Sequence, residues 1–363
     1  MSWIGKKTVA FFPVVRPRMD ALPPDWAAQI ERRVYFDPDS KGADVSLRTY
    51  IHTTSYGRAD LEGVVLPIIE KDQIDVPVDA LSDRTDSLRD QGFDAAAIVM
   101  LGGPGAGSAD CPGFWARFVM LEKVGVWAME LTHALAGYGD LYANPRGPVT
   151  DHLAVFDNMA CNCGTHPSAF TKRALGWLDP AAVTQHKGRR SVYGLHTVGL
   201  VQPPPEGRST AVQVGDDGNS FMVEARQMVD PFDAGIARKN GKGGEGVIVY
   251  EVETPDINRD ASCVSPLIHL KTPAALAPGT SFASGTGLIV QVIGALPGGY
   301  SVIIDDTTLP WTSVSEGAST PGAPVSAVVT GEDRVALFAA DPNGGIYTTT
   351  KFQLNQAADG SGS

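Results

Sequence analysis

The sequence predicts an α+β protein in which a first half of alternating strands and helices is followed by a β-sandwich-like region. Three observations carry this. Up to about residue 180, apolar residues switch between strand-length runs and helical i, i+4 spacing. From about residue 190 to 350, short apolar runs alternate with Gly, Pro and Asp turns, the texture of a small sandwich. The 363 residues also include 40 glycines and 26 prolines, enough to punctuate many short strands. The units drawn are residues 1–185, 186–330 and 331–363.

Element by element, residues 8–15 (TVAFFPVV) read as a buried strand. Residues 25–35 form an amphipathic helix with Trp26, Ile30 and Val34 on one face. Residues 46–69 give a helix, a tight turn at residues 55–58 and a strand. A strand from Asp94 opens into the loop GGPGAG, residues 102–107. No lysine follows that loop and Pro104 breaks the dinucleotide fingerprint, so it reads as surface loop rather than phosphate cradle. Residues 115–136 read as one helix. A loop broken by Pro145, Gly147 and Pro148 leads to a helix over 167–177, with Pro167 in its first turn. Residues 335–351 read as a β-hairpin about Asn343-Gly344-Gly345, and the final AADGSGS as a disordered tail.

The net charge of −12 argues against nucleic acid as a partner, since phosphate binding needs clustered Lys and Arg. The basic run Lys187–Arg190 reads as a solvated loop. No apolar run reaches 18 residues, so no membrane span is expected. The opening segment reads as a strand and lacks a signal core with a cleavage site. Four cysteines, Cys111, Cys161, Cys163 and Cys263, allow two disulfides in three pairings. A bridge between Cys161 and Cys163 is expected to be strained, so each should pair elsewhere or bind metal.

The stretch VWAMELTHALAGYGDLY, residues 126–142, carries the chemistry. On a helix, residues 129 and 133 share a face. The zinc-protease signature HExxH places two imidazoles there on one ion, with the intervening Glu as general base. Glu130 and His133 are present, but Met129 stands at the first ligand position. A neutral thioether is a poor zinc ligand and suits softer ions such as Cu(I). The bland reading makes Met129 a core filler, His133 a hydrogen-bonded core residue and Glu130 solvated. His52, His152, His186, His196 and His269 stand singly and read as structural, with His152, nearest the motif, held in reserve. No GxSxG elbow occurs.

Several blocks in order resemble the immune-inhibitor-A family of secreted metallopeptidases, over roughly residues 8–306. TSYGRADLEGVV resembles the block before that family's central strands, and MELTHALAGYGDLY its zinc helix and following turn. FDNMA, residues 156–160, is similar to the Met-turn, and PSAFTKRALGWL to the helix after it. FMVEARQMVDPFDAGI and GVIVYEV resemble its β-region. The resemblance implies a metzincin-like domain, a twisted sheet with an active-site helix, over residues 1–185. It implies secretion and a protein, peptide or glycan substrate. It makes His133 a zinc ligand, Glu130 the general base, Asp140 the third ligand and Met159 the methionine beneath the metal. Asp140 follows His133 by seven residues where the family usually has six, and the turn Gly137-Tyr138-Gly139 could absorb the extra one. Calcium is a further candidate ion.

Beyond the Met-turn lies CNCGTH. Cys161, Cys163 and His166 carry donors suited to zinc or copper and could rebuild a displaced site with His133. The alternative is that the cysteines form disulfides and His166 caps a turn. Three functions follow: a hydrolase with an altered metal site, a non-catalytic binding module on a peptidase scaffold, or a glycosidase-type hydrolase pairing Glu130 with Asp140 or Asp157.

Overall fold

The first sheet is laid down by β1 (Gly5–Val14), β2 (Ala59–Val65), β3 (Ala95–Met100), β4 (Ser108–Ala109) and β5 (Trp115–Val119), in the order β2-β1-β3-β5-β4. The computed structural model describes residues 2–14, 24–38, 41–68, 82–101, 107–144, 147–216, 218–237, 242–253, 263, 266–308, 325–331, 334–340 and 346–353. Four strands run parallel, and the short β4 alone is antiparallel, closing the edge beside β5. β3 is AAAIVM, buried throughout, because both faces of a parallel sheet are covered. Ala95, Ala97 and Val99 enter the main core, while Ala96 and Ile98 face a smaller one with Leu88 of α3 (Ser82–Asp90).

The main core is covered by α1 (Trp26–Tyr35), α2 (Leu47–Thr54) and α4 (Val124–Ala136). Ile30 and Val34 of α1 are fully buried, as the helical spacing predicts, with Trp26 packed at the margin. Ser46 caps α2 by accepting from the Thr49 backbone N–H. Residues 115–136 correct the reading of one helix. Trp115–Val119 is a strand paired with β3, and the helix begins only at Val124. Its aromatic and β-branched residues suit a pleated surface, and the tertiary pairing decides the outcome.

After α4 come a small hairpin, β6 (Ala143–Asn144) and β7 (Gly147–Pro148), then the short helices α5 (Asn158–Cys161) and α6 (Ala169–Ala174). Pro167 precedes α6 rather than opening it, since Ser168 is the cap. The second half contributes β8 (Val183–Gln185), β9 (Arg190–His196), β10 (Arg208–Ser209), β11 (Ala211–Asp216), β12 (Asn219–Arg226), β13 (Gly246–Glu253), β14 (Leu267–Leu270), β15 (Ser281–Ala283), β16 (Leu288–Leu296) and β17 (Gly299–Asp306). They form two five-stranded sheets, β14-β13-β12-β11-β8 and β10-β9-β17-β16-β15. The two enclose an apolar core of Leu195, Val212, Val223, Val249, Val290 and Val302 among others. The other face of the first of these sheets joins the main core through Met222, Ile248, Tyr250 and Ile268.

A further, separate sheet holds β18 (Val325–Gly331), β19 (Arg334–Ala340) and β20 (Ile346–Gln353) as an antiparallel meander. The expected hairpin is its second and third strands, and the boundary drawn at residue 330 falls inside β18. The Asn343 turn, residues 102–106 of the glycine loop and the terminal AADGSGS lie outside the described residues. Among the described residues, no helix is long and apolar enough to cross a membrane.

Candidate metal centre around His133

α4 has the sequence VGVWAMELTHALA and is buried on every side, as a helix apolar all round must be. Trp127 stacks on Phe118 with ring centroids 4.3 Å apart and donates its indole N–H to the Val119 carbonyl. On another side α4 meets the loop after α5. Asn158 donates to the Gly125 carbonyl at 3.0 Å and accepts from Gly164 N–H at 2.8 Å. A side chain at Gly125 would collide with the backbone of Asn162 and Gly164, so glycine sets how closely the helix and this turn approach.

The helix ends at Gly137, whose left-handed backbone (φ 62°) lets its N–H return to the His133 carbonyl. The chain then wraps the His133 ring. The Tyr138 carbonyl lies 2.6 Å from Nδ1, and Asp140 Oδ1 lies 3.0 Å from Nε2. The turn Gly137-Tyr138-Gly139 thus brings Asp140 to the imidazole. A carbonyl can only accept, so Nδ1 carries a proton. Nε2 then either holds a second proton or offers a lone pair toward a carboxylate. Asp140 Oδ1 is buried and makes no well-aligned hydrogen bond, despite its closeness to Nε2. Burial works against a charged His133. The facing Asp140 carboxylate, with the charge of Glu130, outweighs it and holds the ring above the usual imidazole range.

Glu130 is buried one helical turn before His133. Burial pushes its carboxyl up to about 7, the charge of His133 opposing and that of Asp140 reinforcing the rise. It is therefore not solvated. Gly107, leading into β4, lies directly over it, and a Cβ there would overlap Glu130 Cγ and Oε1. Tyr142 stands beside Asp140, its phenol held protonated by burial and by that carboxylate.

Met129 is 1% exposed and belongs to the main core. Met159 is equally buried in α5, and its carbonyl accepts from Leu141 N–H at 3.0 Å, which ties the residue after Asp140 to this turn. Asp157 caps α5. Its carboxylate accepts from Met159 N–H, Ser168 N–H and the Thr171 hydroxyl, at 2.9, 2.9 and 2.6 Å. With its oxygens committed, Asp157 is corrected from a candidate catalytic carboxylate to a structural cap.

In CNCGTH the disulfide alternative holds, but the pairing expected elsewhere and the rebuilt metal site are corrected. Cys161 and Cys163 are bonded to each other. Asn162 between them adopts a left-handed conformation (φ 46°), which turns the chain so that their Cα atoms are 5.1 Å apart, inside the disulfide range. His166 is wholly buried, with Nε2 on Asp230 at 2.7 Å and Nδ1 on the Lys172 amine at 2.9 Å. None of the three is grouped with His133 as a donor set. His152 accepts from Ala154 N–H through Nδ1, so it supports a turn rather than a metal.

Two groups of donors among the described residues are close enough to hold a metal ion. His166, Asp230 and Asp233 form the first. Arg226 donates to Asp233 at 2.9 Å and Lys172 bonds to His166, so cationic side chains already occupy this cluster. Cys111, Cys263 and His133 form the second. Cys111 and Cys263 are joined as a disulfide beside the imidazole. Nothing in the residue pattern beyond an even cysteine count points to this placement, because the two lie 152 residues apart. No protein-family model and no curated protein matches the chain.

Proposed function

We propose that this chain is a secreted, metal-dependent hydrolase of peptide-like substrates with an altered metzincin-like centre. The observation that carries the reading is the facing pair of His133 Nε2 and Asp140 Oδ1, 3.0 Å apart, with Nδ1 engaged by the Tyr138 carbonyl. An imidazole nitrogen and a carboxylate oxygen set face to face suit a divalent cation, which would displace the proton between them, and the backbone contact at Nδ1 is the support that metal-bound imidazoles generally have. His133 and Asp140 would hold the ion, whereas Met129 offers nothing that zinc prefers. A bound zinc would polarise a carbonyl and acidify water at this position.

Glu130 is the proton carrier. Its carboxyl, held at about 7, can accept a proton from an attacking water and return it to a departing amine near neutral pH. β4 lies over Glu130 as an antiparallel edge strand, the kind of edge onto which an extended peptide can add. The two disulfides are compatible with an extracellular setting.

A second reading, a non-catalytic binding module on the same scaffold, is favoured by Met129, which fills the core where the family places a ligand. The test is zinc content and cleavage of an unstructured protein substrate after zinc loading. Chelator-sensitive cleavage that falls at least 100-fold in Glu130→Gln is expected, a loss in the range for removing a general base. No transition metal after zinc loading would leave the binding module. Activity that survives chelation would instead favour the paired carboxylates Glu130 and Asp140.

A further inference from the structure

We propose that Cys111 and Cys263 are redox-gated metal ligands: when their disulfide is reduced, the two thiolates and His133 bind zinc. This deepens the hydrolase reading and rests on it for its role, although the metal chemistry stands on its own geometry. The sulfurs of Cys111 and Cys263 and a ring nitrogen of His133 all lie within 4.8 Å of one another. Ligands of a tetrahedral zinc, at about 2.3 Å for sulfur and about 2.0 Å for nitrogen, stand roughly 3.5–3.8 Å apart, so the triplet needs little rearrangement.

The donor chemistry fits as well. His133 Nδ1 and Cys111 Sγ both lie against the Tyr138 carbonyl, at 2.6 and 3.8 Å, while Nε2 faces Asp140 at 3.0 Å, so the nitrogen that takes the metal gives up its present contact. Two thiolates and one neutral imidazole form a ligand set that zinc takes readily, with Asp140 or a water to complete four-coordination. Met129 removes one ligand from the helix, and the cysteine pair brings two from outside it. Cys111 reaches the site from the loop between β4 and β5, and Cys263 from the segment between β13 and β14. Both cysteines are partly exposed, so a small thiol can reach them.

The chemistry balances. Two equivalents of a small-molecule thiol reduce the Cys111–Cys263 bond, giving two protein thiols and one small-molecule disulfide. Binding Zn²⁺ then releases the two thiol protons and leaves a neutral Zn(S⁻)₂ unit beside the imidazole. Oxidation by a disulfide of the same class reverses the sequence and expels the ion.

The test compares the oxidised protein with protein reduced under argon and freed of reductant. Each is titrated with Co²⁺ and then Zn²⁺. Reduced protein should bind one Co²⁺ per chain with thiolate-to-cobalt charge-transfer absorption, which Zn²⁺ abolishes, and the oxidised protein should bind at least 100-fold more weakly. Zn²⁺ should also shield Cys111 and Cys263, but not Cys161 and Cys163, from alkylation mapped by mass spectrometry. This readout needs no variant, so it holds even if Cys111→Ser or Cys263→Ser fails to fold. Absence of the charge-transfer band in folded, reduced protein would overturn the proposal, as would shielding of Cys161 and Cys163 instead. Chelator-sensitive cleavage without thiolate binding would sink this inference and spare the hydrolase. Thiolate binding without cleavage by either redox form would do the reverse.

Discussion

Gly107 approaches Glu130 so closely that a single methyl group at its Cα would overlap the carboxylate. The edge strand and the candidate base are therefore a fitted pair, and neither can be altered without the other responding. Gly107→Ala should cost about 1–3 kcal/mol of stability through overpacking. Glu130→Ala in the same chain should recover much of it, because the overlap disappears. A double-mutant cycle by urea denaturation reads the coupling, expected at about 0.5–3 kcal/mol. Additive single effects would show that the two residues do not touch.

Met129 tests the proposed metal centre directly. Met129→His puts a second imidazole on the face that carries His133. Without metal the variant should lose about 1–3 kcal/mol, because a polar ring replaces a fully buried thioether. Zinc should restore the loss and bind at least roughly 10-fold more tightly than to the parent, since even support contacts to a ligand are worth that much. Competition with a chromogenic chelator measures it. An unchanged affinity would mean that residue 129 does not face the ion.

The pH dependence of stability should be governed by Lys172. Its buried amine donates to His166 Nδ1 at 2.9 Å and to the Val198 carbonyl at 3.1 Å, over the Tyr56 ring. Burial pushes Lys172 down to about 7 from an ordinary 10.5, with Asp233 opposing and Arg226 reinforcing the drop. Below pH 7 the folded and unfolded chains both carry the proton, and the cost of burying the charge is present in full. Between about pH 7 and 10.5 the unfolded chain binds more protons than the folded one, so this group makes stability rise with pH. His166, lowered by burial and then by the Lys172 charge, acts with the same sign at lower pH. Lys172→Met should flatten the rise above pH 7, a difference on the order of a few kcal/mol across the window. Urea midpoints between pH 6 and 10 decide it; an equally steep rise in the variant would refute the assignment.

Arg226 holds together the junction between the two halves. It is fully buried and donates to Glu224 at 3.3 Å, to Asp233 at 2.9 Å and to the carbonyls of Phe156 and His166. Arg226→Met leaves two buried carboxylates without their partner. The expected cost is about 3–5 kcal/mol, seen as a lowered urea midpoint. A loss under 1 kcal/mol would show that water or proton uptake compensates the carboxylates.

Local pattern carried the parts of this molecule that are local. Ile30 and Val34 reported a helix face, and TVAFFPVV reported a strand, because burial follows a short period. The switch at Trp115–Val119 was hidden, since WARFV reads equally well as the start of the following apolar helix until β3 is seen to pair with it. At the site, the motif picked out Glu130 and His133 and the family resemblance Asp140, and the structure brings Asp140 to the His133 ring. It could not reveal the Tyr138 carbonyl, because backbone atoms leave no mark in side-chain spacing. The approach of Cys111 and Cys263 was hidden for another reason, being set by how two distant loops cross. The pairing of Cys161 with Cys163 turned on the left-handed conformation of Asn162, which residue identity permits but does not announce.

β12 lies between two interiors that want opposite things. Val223 and Ala225 enter the largely aliphatic sandwich core, while Met222, Glu224 and Arg226 point the other way, the last two into the ionic junction. Its alternation is therefore a message read from both sides, with every residue answerable to one reader. Insertion of one residue would exchange the two readings and drive a carboxylate and a guanidinium into a core lined mostly by aliphatic side chains. The strand that joins the halves is thus also where the chain tolerates least drift, and the register of β12 should be the most constrained line in the molecule.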